Sequence, residues 1–591
     1  MRLLNKYYIL LIAVTLAVAG CSDLLEPEAD NHSTFDRVYK DPDFAEGLLM
    51  NAYSKLPTLS YSFNDVATDD AVSNDKFNKY QLMATGQWSA QYNPMSNWDN
   101  MNKAILYLNK FIPLIEDMTW YWNNEDINRM FKVRLTGEAY ALRGVFRYYL
   151  LQNIAGKSAS GKLLGIPLYN DFLEENANFN MSRADFEASV AAIKSDFDKA
   201  NEYLPMDFRN LTNVNQLPEA FSTVNLTNYN LVFGDVSNQR ITKRIVLGFK
   251  ARLALLAASP AFNANNETNR WENAANSTAE VLNLIPSASG VAGLDAKGHT
   301  FYVGSQVNSA SVTSDQKEML WRGNSNALSS TLEKRMLPPG LNGSGEVNPT
   351  QNLVDAFPMK NGYPISNPLS GYDATNPYAN RDPRLALYIL YNGATLQTKV
   401  INTGKGGGVN AKDSLTTSTR TGYYLRKLIR EDVIFSADGS TTPKKHYAVH
   451  MRYTELFLNY AEAANEAWGP TGTGTVATYS AKDVIAAIRK RAGIAQPDNY
   501  LNSISTKEEM RELIRNERRL ELCFEGFRFW DIRRWGLALN ETAKGVIIEN
   551  DQTTFNYVNI EPRVYQPFMQ YAPLPEQEIL KFPGLEQNAG W

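Results

Sequence analysis

The chain has 591 residues, 44% of them apolar and 21% charged, with a formal net charge of −4. That is enough chain to bury a large core, and the charge balance excludes the basic footprint of a nucleic-acid binder. Only two cysteines are present, Cys21 and Cys523, so no disulfide framework is expected.

The N-terminus carries Arg2 and Lys6 and then an apolar run from Tyr7 to Ala19, a secretory signal too short for a comfortable membrane span. Val18-Ala19-Gly20-Cys21 looks like a bacterial lipobox, which predicts signal residues 1–20 and lipidation of Cys21. Residues 21–40 form an acidic tether, Ser22-Asp23-Leu24-Leu25-Glu26-Pro27-Glu28 at its start. Cys523 is then expected to be a buried free thiol.

Helices follow. Asp41-Pro42 opens the first, with proline in the first turn. Apolar spacing predicts others over 96–115, 126–154, 183–204 (Ser182 as N-cap), 243–259 and 271–284. In the third, Gly137-Glu138-Ala139-Tyr140-Ala141-Leu142-Arg143-Gly144 alternates small and large residues, which lets a neighbouring helix come close. From 286 to 444, Gly, Asn, Ser, Thr and Pro dominate and predict loops, turns and short strands. Helices resume over 453–468, 481–492 and 506–530. The expected layout is therefore an N-terminal helical part, 41–285, an irregular part, 286–444, and C-terminal helices, 445–591, packed on the first as one unit. Paired helices of this kind suggest tetratricopeptide-like hairpins, although no strict 34-residue period is visible.

Residues Arg515 to Gly536 combine dense charge with large aromatics. Leu513, Leu520, Phe524 and Phe527 recur at helical spacing. Arg518/Glu521, Glu525/Arg528, Arg528/Asp531 and Asp531/Arg534 are three apart, where helical side chains meet, although the helical pattern weakens at Gly526. Arginine throughout suits planar pairing with carboxylates. The reading is a charged lattice pinning a helix end against a core.

That stretch resembles the signature helix of the SusD-like (SusD/RagB) family. Four others resemble family motifs: Gly137-Glu138-Ala139 through Arg143 to Tyr148-Tyr149; Asn348 to Phe357 with Asn361-Gly362-Tyr363; Asn380-Arg381-Asp382-Pro383-Arg384-Leu385; and Arg452-Tyr453-Thr454-Glu455-Leu456 with Tyr460 to Glu466. The resemblance implies a mostly α fold with about four tetratricopeptide-like units and an irregular, short-strand, ligand-facing half. It also implies a non-enzymatic, outward-facing lipoprotein of the outer membrane. Such a protein captures glycans or oligosaccharides and passes them to a SusC-like TonB-dependent transporter. The alternatives are peptide capture, a helical scaffold for proteins, or a glycoside hydrolase.

Competing chemistry is weak. His446 and His450 have a zinc-like spacing, but the surrounding residues read as strand, about 13 Å apart at ~3.3 Å per residue. Asp65 to Asp75 is acidic but lacks the Gly and Glu of a calcium loop. Gly404 to Val409 and Gly156-Lys157-Ser158 fail the P-loop order. No metal and no cofactor are expected. A sugar site wants aromatic rings flanked by planar polar groups. The predicted site is one shallow platform of Trp88 and Tyr92, beside Asp69 and Asp70, meeting Trp321, Arg322 and Tyr302.

Overall fold

The computed structural model describes residues 41–591 except 59, 60, 175, 287, 312, 324–326 and 437. Cys21 and the acidic tether lie outside the described residues. The N-terminal helices are α1 (Pro42–Ser54), α2 (Trp98–Asp117), α3 (Glu125–Ile154), α4 (Phe186–Tyr203), α5 (Lys243–Ala258) and α6 (Thr268–Asn283). The C-terminal ones are α7 (Tyr453–Trp468), α8 (Ala481–Ala492), α9 (Lys507–Glu521) and α10 (Arg528–Arg534). Sequential helices pack as neighbours: α1 on α2, α2 on α3, α3 on α4, α5 on α6. Helix α7 then lies against α6, so the two ends of the chain share one core.

Local chemistry sets these boundaries. The Asn124 side chain accepts the Ile127 N–H at 3.0 Å and opens α3. Ser480 with Asp483, and Thr506 with Glu509, form capping boxes on α8 and α9. The glycines of α3 are contact points: a Cβ at Gly144 would come within 2.5 Å of Phe197 on α4, and one at Gly137 within 2.7 Å of Leu204. Arg143 and Arg147 of α3 then lock onto Asp196 of α4 at 2.6 and 2.8 Å. Helix α4 begins at Phe186, three residues later than expected. Arg183 is recruited by the carbonyls of Ile154, Leu164 and Gly165, and Ala184 N–H by Ile166, which holds that segment extended.

Among the described residues of 286–444 no helix exceeds six residues. Short antiparallel pairs take over. Strand β1 (Ala71–Ser73) reaches across to β3 (Val347–Pro349), with Ala71 opposite Pro349. Strand β2 (Met319–Arg322) pairs with β4 (Val449–Arg452), which feeds directly into α7. Strands β5 (Ala543–Ile548) and β6 (Phe555–Glu561) form a hairpin near the C-terminus. A second hydrophobic core lies under this half.

The junction of the two cores is the charged stretch, and its pairing differs from the helical expectation. The chain turns left-handed at Phe524 (φ 62°) and Gly526 (φ 83°), so one helix becomes α9 and α10. Of the expected i, i+3 pairs only Asp531–Arg534 forms, at 2.9 Å. Two α9 carboxylates, Glu517 and Glu521, face inward to arginines from elsewhere. Glu521 takes Arg491 (2.7 Å), Arg384 (3.2 Å) and Arg452 (3.4 Å); Glu517 takes Arg489 and Arg384. Lys427 donates to the carbonyls of Glu521 and Cys523 and to Glu525, supplying the open C-terminal carbonyls of α9 with a cation. Cys523 is buried and free as expected, its thiol pushed up to about 12 by burial.

Candidate functional site

The seven residues predicted to form a platform do not meet at one surface. Asp69 and Asp70 belong to the buried lattice: Asp69 pairs with Arg519 (2.9 Å) and Arg528 (2.8 Å), Asp70 with Arg519 (2.7 Å). Burial alone would raise Asp69, but the two guanidiniums override it and hold its carboxyl below the usual range. These acids are counter-ions, which also leaves no calcium ligand set here. Among the described residues no group of three His, Cys, Asp or Glu can hold a metal.

Trp88 is 5% exposed, wedged edge-on against Phe529 and Trp591 with the Arg533 guanidinium 4.7 Å from its ring. Tyr302 is buried in the same core and donates to the Leu387 carbonyl at 3.1 Å. Trp321, 3% exposed, sits in the other core, against Phe249 and His450, and donates to the Gln239 carbonyl. Arg322 is paired with Asp315 and lies 4.1 Å from the Tyr447 ring. Tyr92 alone is exposed. Large rings at strand and helix ends were claimed by packing, because burying an aromatic outweighs leaving it free. Trp321 and Arg322 do border an open cavity of about 360 Å³ with Tyr53, Arg240 and His450. Its polar groups are spent internally: Arg240 on Glu46 and Glu138, His450 on the Pro57 carbonyl, with burial pushing that imidazole down to about 4. His446 turns instead to Glu333 at 2.8 Å, so the two histidines share no ligand.

On the loop half, Phe77 and Tyr557 stay open. Phe77 is 75% exposed, on a turn immediately after β1. The turn is held from below: Asn74 donates to the Ser344 and Gly345 carbonyls, both at 2.9 Å, and Asn78 to Glu346 at 3.2 Å. Phe77 N–H is taken by Asp75 at 2.9 Å, which fixes the backbone of the turn, and Lys76 stands 5.5 Å from the ring centroid. Arg420 joins this turn to the hairpin, donating to the Ser73 carbonyl (2.9 Å) and to Glu561 of β6 (3.1 Å).

Four residues back along β6, about 13 Å at ~3.3 Å per residue, Tyr557 is 46% exposed. Its hydroxyl is 3.4 Å from that of Tyr372, over whose ring the Arg381 guanidinium lies at 5.7 Å. Behind them Tyr378 stacks on Tyr391 at 4.4 Å and meets Phe555 edge-on. Asp355 completes this end. It accepts from Gln351 at 2.7 Å, and burial of the carboxyl group raises it above the usual range although the residue as a whole is exposed. Arg420 thus links the Phe77 turn, with Lys76 beside it, to the hairpin that carries Tyr557, with Tyr372 and Asp355 near the latter; this linked set is the loop strip.

Sequence reasoning stopped at the acidic run ending in Asp75 and missed the ring two residues on. The available signal was an apolar Phe77 inside a run of turn-forming polar residues, Asn74-Asp75-Lys76-Phe77-Asn78, where no core can reach it. Trp122, also exposed, lies between α2 and α3 on the helical side, away from this strip.

Comparison with known proteins agrees with this architecture. Residues 306–591 match the SusD family, and residues 23–219 match the family described as "Starch-binding associating with outer membrane". No curated protein matches the chain. Among solved structures, a SusD-like protein from Bacteroides fragilis is 22% identical with a TM-score of 0.70, covering 94% of this chain and 99% of that one. A SusD-like carbohydrate-binding protein from the same organism is 21% identical with a TM-score of 0.67, covering 93% and 100%. A SusD homologue from Bacteroides thetaiotaomicron is 17% identical with a TM-score of 0.61, covering 95% and 99%. At these identities the structures speak for the fold, and the two family matches extend over both the helical and the loop-rich halves: the chain belongs to the SusD-like family.

Proposed function

We propose that the protein is a lipid-anchored, outward-facing outer-membrane binder that captures oligosaccharides on the loop strip and delivers them to a SusC-like TonB-dependent transporter. The observation that carries the reading is the strip itself, from Phe77 through Arg420 to Tyr557. It offers solvent-open rings and planar polar groups on loops fixed by a rigid scaffold. Sugars present apolar C–H faces to such rings and hydroxyls to such side chains, and sites of this kind sit on loops over a firm framework. The matching family's description, starch-binding, points the same way, as does the description of one structural relative as carbohydrate-binding. The lipobox at Cys21 supports the anchor.

Binding without cleavage fits the chemistry. A glycoside hydrolase needs two carboxyl groups free to flank one bond. Here the dense carboxylates at Glu517, Glu521, Glu525 and Asp69 are all engaged by cations. The test is a glycan array followed by calorimetry on the chain lacking residues 1–21. Retention of an oligosaccharide with no new reducing ends is expected. New reducing ends, or capture of peptides and no glycan, contradict the proposal. Cys21→Ala should release the protein from the outer-membrane fraction of cells lacking the transporter; retention there contradicts the anchor.

A further inference from the structure

A second cleft lies on the helical side, remote from the loop strip, among α5, α6, α7 and α9. It encloses about 330 Å³ and is walled by Trp271 and Trp535, with Arg515, Asn266, Glu462 and Glu466 supplying its polar surface. Its hydrogen-bonding groups can be counted. Both oxygens of Glu462 are taken, by Arg534 and by Trp535 Nε1. Both oxygens of Glu466 are taken by Arg511, at 2.6 Å each. The Asn266 oxygen accepts Trp271 Nε1 at 2.9 Å.

Arg515 is the exception. Its guanidinium lies 5.1 Å over the Trp535 ring and makes one bond, from Nη1 to Glu512 at 3.2 Å. Glu512 is one turn away on the same helix, and its side chain is 73% exposed, so water and salt screen that pair. The other four N–H donors of Arg515 have no acceptor among the described residues. The acceptors of Glu462, Glu466 and Asn266 are therefore committed, and the open donors at the cleft belong to Arg515, which faces only the exposed Glu512. We infer that the cleft binds a carboxylate carried on a small, partly apolar body, the carboxylate against Arg515 and the body in the cleft beside Pro260 and Ala264, with the nearly buried Trp271 and Trp535 as its floor. A uronic acid and the C-terminus of an aromatic peptide share that chemistry. A forked guanidinium prefers carboxylate to a neutral hydroxyl, since a charged acceptor can take two parallel bonds.

The test uses the chain lacking residues 1–21 with glucuronate, N-acetyl-phenylalanine and neutral glucose, followed by calorimetry and tryptophan fluorescence. Glucuronate or N-acetyl-phenylalanine should bind and glucose should not; which of the two binds more tightly identifies the source. Arg515→Gln should weaken that binding roughly tenfold or more, with an unchanged melting temperature. Glu512→Gln, which frees the guanidinium, should tighten it about 2–5-fold. Equal affinity for glucose, binding insensitive to both variants, or a signal lost in Phe77→Ala but kept in Arg515→Gln overturns the inference. The last result would place the carboxylate on the loop strip, so failure here is separable from failure of the glycan reading.

Discussion

Around Glu521 and around Phe77 the protein uses the same kinds of residue, arginines, carboxylates and aromatic rings, to opposite ends. In the lattice Glu517 and Glu521 of α9 are met by arginines from other parts of the chain, and Arg384, Arg452 and Arg489 are almost wholly buried. In the loop strip the backbone and the Asn side chains satisfy each other, leaving Phe77, Lys76 and Tyr557 turned to solvent. What separates structure from site is thus whether a residue's bonding capacity is already spent. Residue type and abundance do not decide it.

The sharpest break of this comparison is Glu521→Ala. It strands Arg491, Arg384 and Arg452 without their shared carboxylate, and loss of one partner of a buried pair costs on the order of 3–5 kcal/mol. Denaturant unfolding should show it as a lower midpoint. An unchanged midpoint means that the lattice is solvated. Trp88→Ala should cost a similar ~3–5 kcal/mol, since the ring fills the space between Phe529, Trp591 and Arg533. Glycan affinity of the protein that remains folded should be unaffected; lost affinity at unchanged stability would return Trp88 to the site.

Asp65 sharpens the comparison through pH. Its side chain is fully buried and accepts the Phe524 N–H, but burial and the neighbouring Asp70 push its carboxyl up to about 7. A folded-state value above the unfolded 3.8 means that the native state holds the proton more tightly. Stability from this group is present at low pH and falls as pH rises from about 4 to about 7. Asp65→Asn should remove that fall, gaining up to ~4 kcal/mol at pH 8 relative to pH 4 at about 1.36 kcal/mol per unit. Parallel stability–pH curves for the two proteins would contradict the shift.

Much of the helical frame was legible, and the reason is visible in particular elements. α7 and α8 fall on the expected 453–468 and 481–492 because apolar spacing, the closing Gly469 of α7 and the Ser480 cap of α8 are local signals. The break after Glu521 was only hinted at by Gly526. The left-handed turn at Phe524 depends on Asp65 accepting its N–H from more than 450 residues away. The same distance hid the role of Asp69 and Asp70, whose arginines lie on α9 and α10. Tryptophans drew attention as sugar platforms, yet Trp88 and Trp321 carry large apolar rings whose burial is strongly favourable, and both are in the core. The exposed rings of the loop half are a phenylalanine in a turn and a tyrosine on a late hairpin. Neither carries a local signature beyond its polar neighbours.

The most direct measurement is calorimetric titration of the oligosaccharide retained on the array into wild type and the Phe77→Ala and Tyr557→Ala variants, with melting temperatures recorded alongside. The account predicts that each variant loses about 1–3 kcal/mol of binding, by analogy with stacking platforms, and melts with wild type. Full affinity in both variants would contradict it and move the ligand away from the loop strip.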